Sequence, residues 1–156
     1  MGNDDLRRYV YDVSLRIIGA SLQSEKSLRE KLKKKEFDEG VISEVVNDLK
    51  EQGYIDDYKN GLSYALSLIG RKYYGKNYAR KKLAERGIDR ETSDEILSYI
   101  ETTDYDETES VAKYLDKIGG AKSERISSAE YQKISNKLFN RGFSPGSIKK
   151  ALEREF

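Results

Sequence analysis

Apolar residues recur along this chain at helical spacing, and they do so in three rounds. Leu6, Val10, Val13 and Ile17 fall on one helix face. Leu62, Ala65, Leu66, Ile69 and Tyr73 form a second stripe, and Val111, Tyr114, Leu115 and Ile118 a third. A later stripe closes each round: Val41, Ile42, Val45, Val46 and Leu49, then Ile96, Leu97 and Ile100, then Ile148, Ala151 and Leu152. The spacing predicts nine short helices, at 6–21, 24–35, 39–51, 56–73, 76–86, 89–101, 107–119, 127–141 and 144–155, and it calls for no strand.

The rounds are copies of one another. LREKLKKKEFDEGVISEVVNDL from Leu28, ARKKLAERGIDRETSDEILSYI from Ala79 and ISNKLFNRGFSPGSIKKALERE from Ile134 align without gaps, offset by 51 and 55 residues. Each carries Leu at the fifth position (Leu32, Leu83, Leu138) and a further apolar residue five positions on (Phe37, Ile88, Phe143). The residue after that can cap a helix (Asp38, Asp89, Ser144). Gly87 and Gly142 stand where a helix ends, since glycine enters the left-handed conformation without a Cβ clash; in the first copy Glu36 takes that place. Pro145 falls at the first helical position, where its missing N–H costs nothing. The expected fold is therefore all-α, with three tandem three-helix repeats at 1–55, 56–105 and 106–156 forming an elongated, curved array.

QGYIDD at 52–57 joins the first repeat to the second, and TTDYDE at 102–107 joins the second to the third. Gly53 is expected to end a helix, Ile55 to pack back on the turn, and Asp56 or Asp57 to start the next helix. The acids Asp56, Asp57, Asp104, Asp106 and Glu107 could in principle hold a hard cation through oxygen ligands. No calcium loop, phosphate-binding glycine loop or histidine accompanies them, and capping of helix N-termini accounts for carboxylates at these positions.

Composition narrows the chemistry further. The 156 residues include no Cys and no His, which removes thiol nucleophiles, His-based triads and His/Cys metal sites. The absence of Cys suits a reducing cytoplasm, no apolar run is long enough for a membrane span, and a soluble protein without cofactor or metal is expected.

The formal net charge is only +1, but charge is sorted by segment. Arg71 to Arg86 holds seven bases against Glu85 alone, and Asp89 to Glu109 holds nine acids against Arg90 alone. Arg71, Lys72, Lys76, Arg80, Lys81 and Arg86, interleaved with Tyr73, Tyr74 and Tyr78, are candidates for contact with phosphates or an acidic protein surface. Lys33 and Lys34 in the first repeat and Lys149 and Lys150 in the third are further candidates. A plain solvated helix face with tyrosines completing the core is the competing reading. For Tyr74 contact and packing are evenly matched, whereas Tyr114 and Tyr131 lie on apolar stripes and are expected in the core.

The run LKEQGYIDDYKNGLSYALSLIGRKYYGKNYARKKLAERGID, residues 49–89, resembles the regulatory protein RecX family. The matching positions are Leu49, the Gly-x-Ile-Asp-Asp run Gly53 to Asp57, Tyr64-Ala65, Arg71, Gly75, Leu83 and Gly87-Ile88. Departures are Glu36, Thr103, Tyr105 and the longer link at 119–130. The resemblance implies a non-enzymatic modulator of DNA repair, and a cytoplasmic monomer is expected. Such a protein binds the RecA recombinase filament in its helical groove and restrains recombinase, ATPase and coprotease activity, with single- or double-stranded DNA as a further partner. It supplies no catalytic residues. A helical module that binds nucleic acid independently of RecA is the alternative.

Overall fold

The computed structural model describes residues 2–119 and 125–155. Within them the chain forms nine α-helices and no strand: α1 (Asn3–Ala20), α2 (Glu25–Lys34), α3 (Glu39–Glu51), α4 (Asp57–Leu66), α5 (Lys76–Glu85), α6 (Arg90–Glu101), α7 (Glu107–Lys117), α8 (Ser128–Asn140) and α9 (Pro145–Glu155). Residues 120–124 of the expected long link lie outside the described residues.

The predicted caps form: Asp38, Asp56, Asp89 and Asp106 each accept a backbone N–H from the first turn of the following helix, and Ser144 accepts that of Ser147 at 3.4 Å. Ser127 caps α8 as well, and Ser24 builds a reciprocal capping box with Ser27. Gly87 and Gly142 end α5 and α8 with φ of 83° and 91°. Glu36 adopts the same left-handed turn at φ 64°, so the first copy keeps its helix boundary without glycine and carries the associated backbone cost.

The buried side chains fall into three separate clusters. The first is built on Val10, Leu28, Leu32, Val45, Val46 and Leu49, the second on Ala65, Leu83, Ile96 and Ile100, and the third on Val111, Leu115, Phe143 and Leu152. Complete burial of one such large aliphatic side chain contributes about 1.5–3 kcal/mol. All extensive helix–helix contacts stay within a cluster: α1 with α3, α4 with α6, α7 with α9. The accessible surface is 10060 Å², where a compact monomer of this mass would expose roughly 8000 Å². Three small cores strung in sequence account for the excess, because no large common interior forms.

Gly61 sets the approach of α4 to α6. A Cβ there would sit 2.6 Å from Cδ1 of Ile96 and 2.8 Å from Cδ1 of Ile88, so the missing side chain lets two helices close on a shared apolar layer.

Several expectations need correction. The helix expected over 56–73 gives way to a single π turn at Ser67–Arg71. The buried stripe of the second unit centres on Gly61, Ala65, Leu68 and Ile69, and Leu66, the last residue of α4, faces outward at 45% exposure. Tyr73 takes a left-handed φ of 53° and packs on the third core, not the second. Ile118 falls beyond the last turn of α7 and is exposed. Tyr131 is 36% exposed because α8 packs on α9 and presents only Leu138 as a fully buried residue.

Candidate functional site

The paired acids of QGYIDD have separate duties, and the same division appears at TTDYDE. Asp56 accepts the Lys59 N–H at 3.0 Å and caps its own helix, whereas Asp57 accepts the N–H of Glu25 at 3.0 Å and so caps α2 of the preceding unit. At the next junction Asp106 caps α7, and Glu107 accepts the N–H of Lys76 at 3.1 Å, at the start of α5. The second helix of each of the first two units thus opens against the first helix of the next. The positive end of its dipole faces that carboxylate.

The two junctions differ in tightness. Glu107 also accepts the Ser144 N–H of its own unit at 2.7 Å, and across to unit three the Gly75 N–H donates to the Arg141 carbonyl at 3.0 Å and the Asn77 N–H to the Gly142 carbonyl at 3.1 Å. A Cβ on Gly75 would lie 2.2 Å from the Gly142 carbonyl carbon, and one on Gly142 2.3 Å from the Tyr78 nitrogen. Backbone therefore meets backbone here, and only glycine fits on either side. Arg141 completes the joint. Its Nε donates to the Tyr73 carbonyl at 3.2 Å, its Nη2 donates to the Lys72 carbonyl, and its guanidinium lies 4.0 Å from the Tyr74 ring centre and 4.1 Å from that of Tyr114. Between units one and two the Glu25 N–H to Asp57 carboxylate bond is the one cross-unit hydrogen bond to a side chain among the described residues.

Burial alone would push the Glu107 carboxyl up, but the amides of Ser144 and Lys76 outweigh it and hold the group below the usual glutamate range. Asp57 moves the other way. Burial pushes it up, the neighbouring charges of Glu25 and Asp89 add to that, and the Glu25 amide and Lys50 oppose it.

The structure sorts the candidate cations by whether the protein already neutralises them. Lys76 pairs with Glu101 and Arg80 with Asp94, both bridging α5 to α6, and Lys33 lies 3.9 Å from Glu39. Arg71, Lys72, Lys81, Arg86, Lys34, Lys149 and Lys150 are exposed and meet no carboxylate among the described residues. The Tyr74 ring is half-buried and spoken for: Tyr78 stacks on it at 3.9 Å and Arg141 on it at 4.0 Å. Arg71 and Arg86 come from the two ends of the basic run and line one cleft; Lys76 and Arg80 line another with Asp94 and Glu101. Lys33 lies in a third, between α2 and the Gly87 turn, and Lys149 and Lys150 line none of these. Among the described residues no cluster of acids is arranged to hold a metal ion, and no helix is long and apolar enough to cross a membrane.

Pattern reading misses Arg141 and the cross-unit role of Glu107. The signal for Arg141 is present in the repeat itself, since Arg-Gly recurs at 86–87 and 141–142.

Comparison with known proteins agrees with this architecture. The family described as RecX, first three-helix domain, matches residues 11–49, which cover most of α1 and all of α2 and the bulk of α3. A crystal structure of RecX from Lactobacillus salivarius superimposes with a TM-score of 0.83 at 24% identity, covering 97% of each chain, which shows the shared fold. Regulatory protein RecX of Streptococcus pneumoniae serotype 19F is 31% identical over 96% of this chain, which spans 57% of that protein's length. Regulatory protein RecX of Clostridioides difficile is 31% identical over 97% of this chain and 70% of its own length, and on that identity and extent the chain belongs to the RecX family.

Proposed function

We propose that this protein is a non-enzymatic regulator that binds the RecA recombinase filament and inhibits its recombinase, ATPase and coprotease activities during DNA repair, in the cytoplasm and as a monomer. The observation that supports it best is the pairing of family membership with a three-unit array whose free cations recur in every unit. Such an array offers a long surface to a helical polymer, because each module adds contacts without a common core to limit its length. Its modules are the units at 1–55, 56–105 and 106–156. Lys34, Arg71, Lys72, Lys81, Arg86, Lys149 and Lys150 are the residues assigned to contact, since a cation that meets no internal carboxylate breaks no ion pair when an external one arrives. Lys33, Lys76 and Arg80 would first have to leave Glu39, Glu101 and Asp94, and Tyr74 would have to leave Tyr78 and Arg141, so all four rank lower.

The exposed cations of α5 and α9 also favour a second reading, in which DNA itself is the partner. One titration separates the two. Adding the protein to RecA, single-stranded DNA and ATP should suppress hydrolysis at ratios up to equimolar. Unchanged hydrolysis together with tight, salt-sensitive DNA binding in the absence of RecA would select the second, with a log–log salt slope of about 0.9 per phosphate on duplex.

A further inference from the structure

The second junction shows what its arginine requires, and the first junction lacks it. Arg86 occupies in the second unit the place of Arg141 in the third, and Tyr64 the place of Tyr114. The Arg86 guanidinium lies 3.6 Å from the Tyr64 ring centre, so one face is stacked as in its counterpart. The other partners are absent. Where Arg141 meets the Tyr74 ring, the first junction has Gln23, and where Arg141 donates to the Lys72 carbonyl, the equivalent Ser21 carbonyl accepts Nε2 of Gln23 at 3.1 Å. Gln23 is buried and held by Ser27, which donates to its Oε1 at 2.9 Å. Among the described residues Arg86 therefore has an unstacked face and side-chain N–H groups without an acceptor.

Those groups open into a cleft of about 550 Å³ between the first and second units. Arg71 reaches the same cleft from the π turn, a device that re-aims side chains out of regular helical register. Leu22 and Leu66 line it as well, at 59% and 45% exposure. Two guanidinium groups without carboxylates beside two bared leucines form a site that is neither purely electrostatic nor purely apolar. A phosphate backbone would satisfy the arginines and leave the leucines uncovered.

We infer that this cleft docks an acidic protein segment carrying an aromatic residue, whose ring covers the open face of Arg86 and whose carboxylates pair with Arg86 and Arg71. Carboxylates match the planar fork of arginine through two parallel N–H···O bonds, and the ring supplies the second half of the stack that Tyr74 supplies to Arg141. The inference deepens the regulator reading only in that it describes the segment a partner protein would present.

The test is a fluorescence-anisotropy titration of the whole protein with a short labelled peptide of Glu-Asp-Phe repeats, alongside the same peptide with Phe replaced by Ala or with its acids replaced by Lys. Saturable binding of the acidic aromatic peptide below about 1 mM is expected. Either Arg86→Glu or Arg71→Glu should weaken it about tenfold or more with the helical circular dichroism unchanged, and the Phe-free peptide should bind several-fold more weakly. No saturable binding, equal binding to both charge variants and wild type, or equal binding by the lysine peptide each overturns the inference. So does loss of oligothymidylate binding in the two variants without any peptide binding, which assigns the cleft to nucleic acid. Because no recombinase is present, the regulator reading stands or falls separately, on the ATPase titration.

Discussion

The guanidinium of Arg141 lies 4.0 Å from the ring centre of Tyr74, a residue of the preceding unit 67 positions earlier in the chain. This pair, with the bonds to the Lys72 and Tyr73 carbonyls, joins the second and third cores through one side chain. Arg141→Ala should lower unfolding stability by about 2–4 kcal/mol, combining charged hydrogen bonds and stacking. Arg86→Ala, lacking the acceptors, should cost under about 1 kcal/mol. Urea denaturation of both variants checks this, and equal losses would sink the claim that the two junctions differ. Arg141→Lys should not restore the wild-type midpoint, because an ammonium cannot stack on two rings and reach two carbonyls together.

Glu107 and Asp57 occupy equivalent positions and should respond oppositely to pH. Glu107 is held below its ordinary value of 4.5, so its stabilising contribution is complete above that value and is lost as pH falls through the lower folded-state value. Asp57 is pushed above its ordinary 3.8. Its ionised form therefore costs stability at neutral pH, and the cost is relieved as pH falls through the raised value. Glu107→Gln presents an amide N–H to a backbone N–H and should destabilise by about 1–3 kcal/mol at neutral pH, with a smaller loss below the ordinary glutamate value. Asp57→Asn keeps an oxygen for the Glu25 amide and should change stability by less than about 0.5 kcal/mol, or raise it. Denaturation midpoints at the two pH values decide the matter.

Two glycines with similar backbone angles should tolerate alanine very differently. Gly53 has φ 82° and open space where a Cβ would go, so Gly53→Ala should cost about 1–2 kcal/mol through the backbone alone. Gly142 has φ 91° and would place its Cβ 2.3 Å from the Tyr78 nitrogen. Gly142→Ala should cost several kcal/mol more and should speed amide exchange at Gly75 and Asn77, whose bonds cross the junction. Hydrogen exchange by NMR reads both.

Charge reversal should separate free cations from committed ones. Replacing Lys81, Lys149 and Lys150 by Glu leaves every described ion pair in place and should weaken partner binding about tenfold or more without shifting the denaturation midpoint. Arg80→Glu sets a carboxylate against Asp94, so its effect on binding is confounded by a loss of stability. Binding unchanged in the triple variant would move the contact surface away from α5 and α9.

Helix order, the repeat and the capping acids were legible in the sequence because each depends on residues a few positions apart. Asp56, Asp89 and Asp106 declare their roles by standing just before an apolar stripe. The π turn at Ser67–Arg71 has no such local mark, and beyond it Tyr73 leaves the face that period alone assigns it. The work of Asp57 and Glu107 was hidden for a related reason: their partners are amides 32 and 31 residues earlier, reached only after two units have folded and met. Among the basic residues, sequence marked the segment. It could not say that Asp94 and Glu101 had already claimed Arg80 and Lys76.

Units one and two share one cross-unit hydrogen bond to a side chain, whereas several bonds cross between units two and three, so the first junction should open at lower free energy than the second. If the proposed partner repeats its sites, the units still bound would hold a released first unit near its own site at an effective concentration in the millimolar range. Residence time would then exceed what the affinity of any single unit gives.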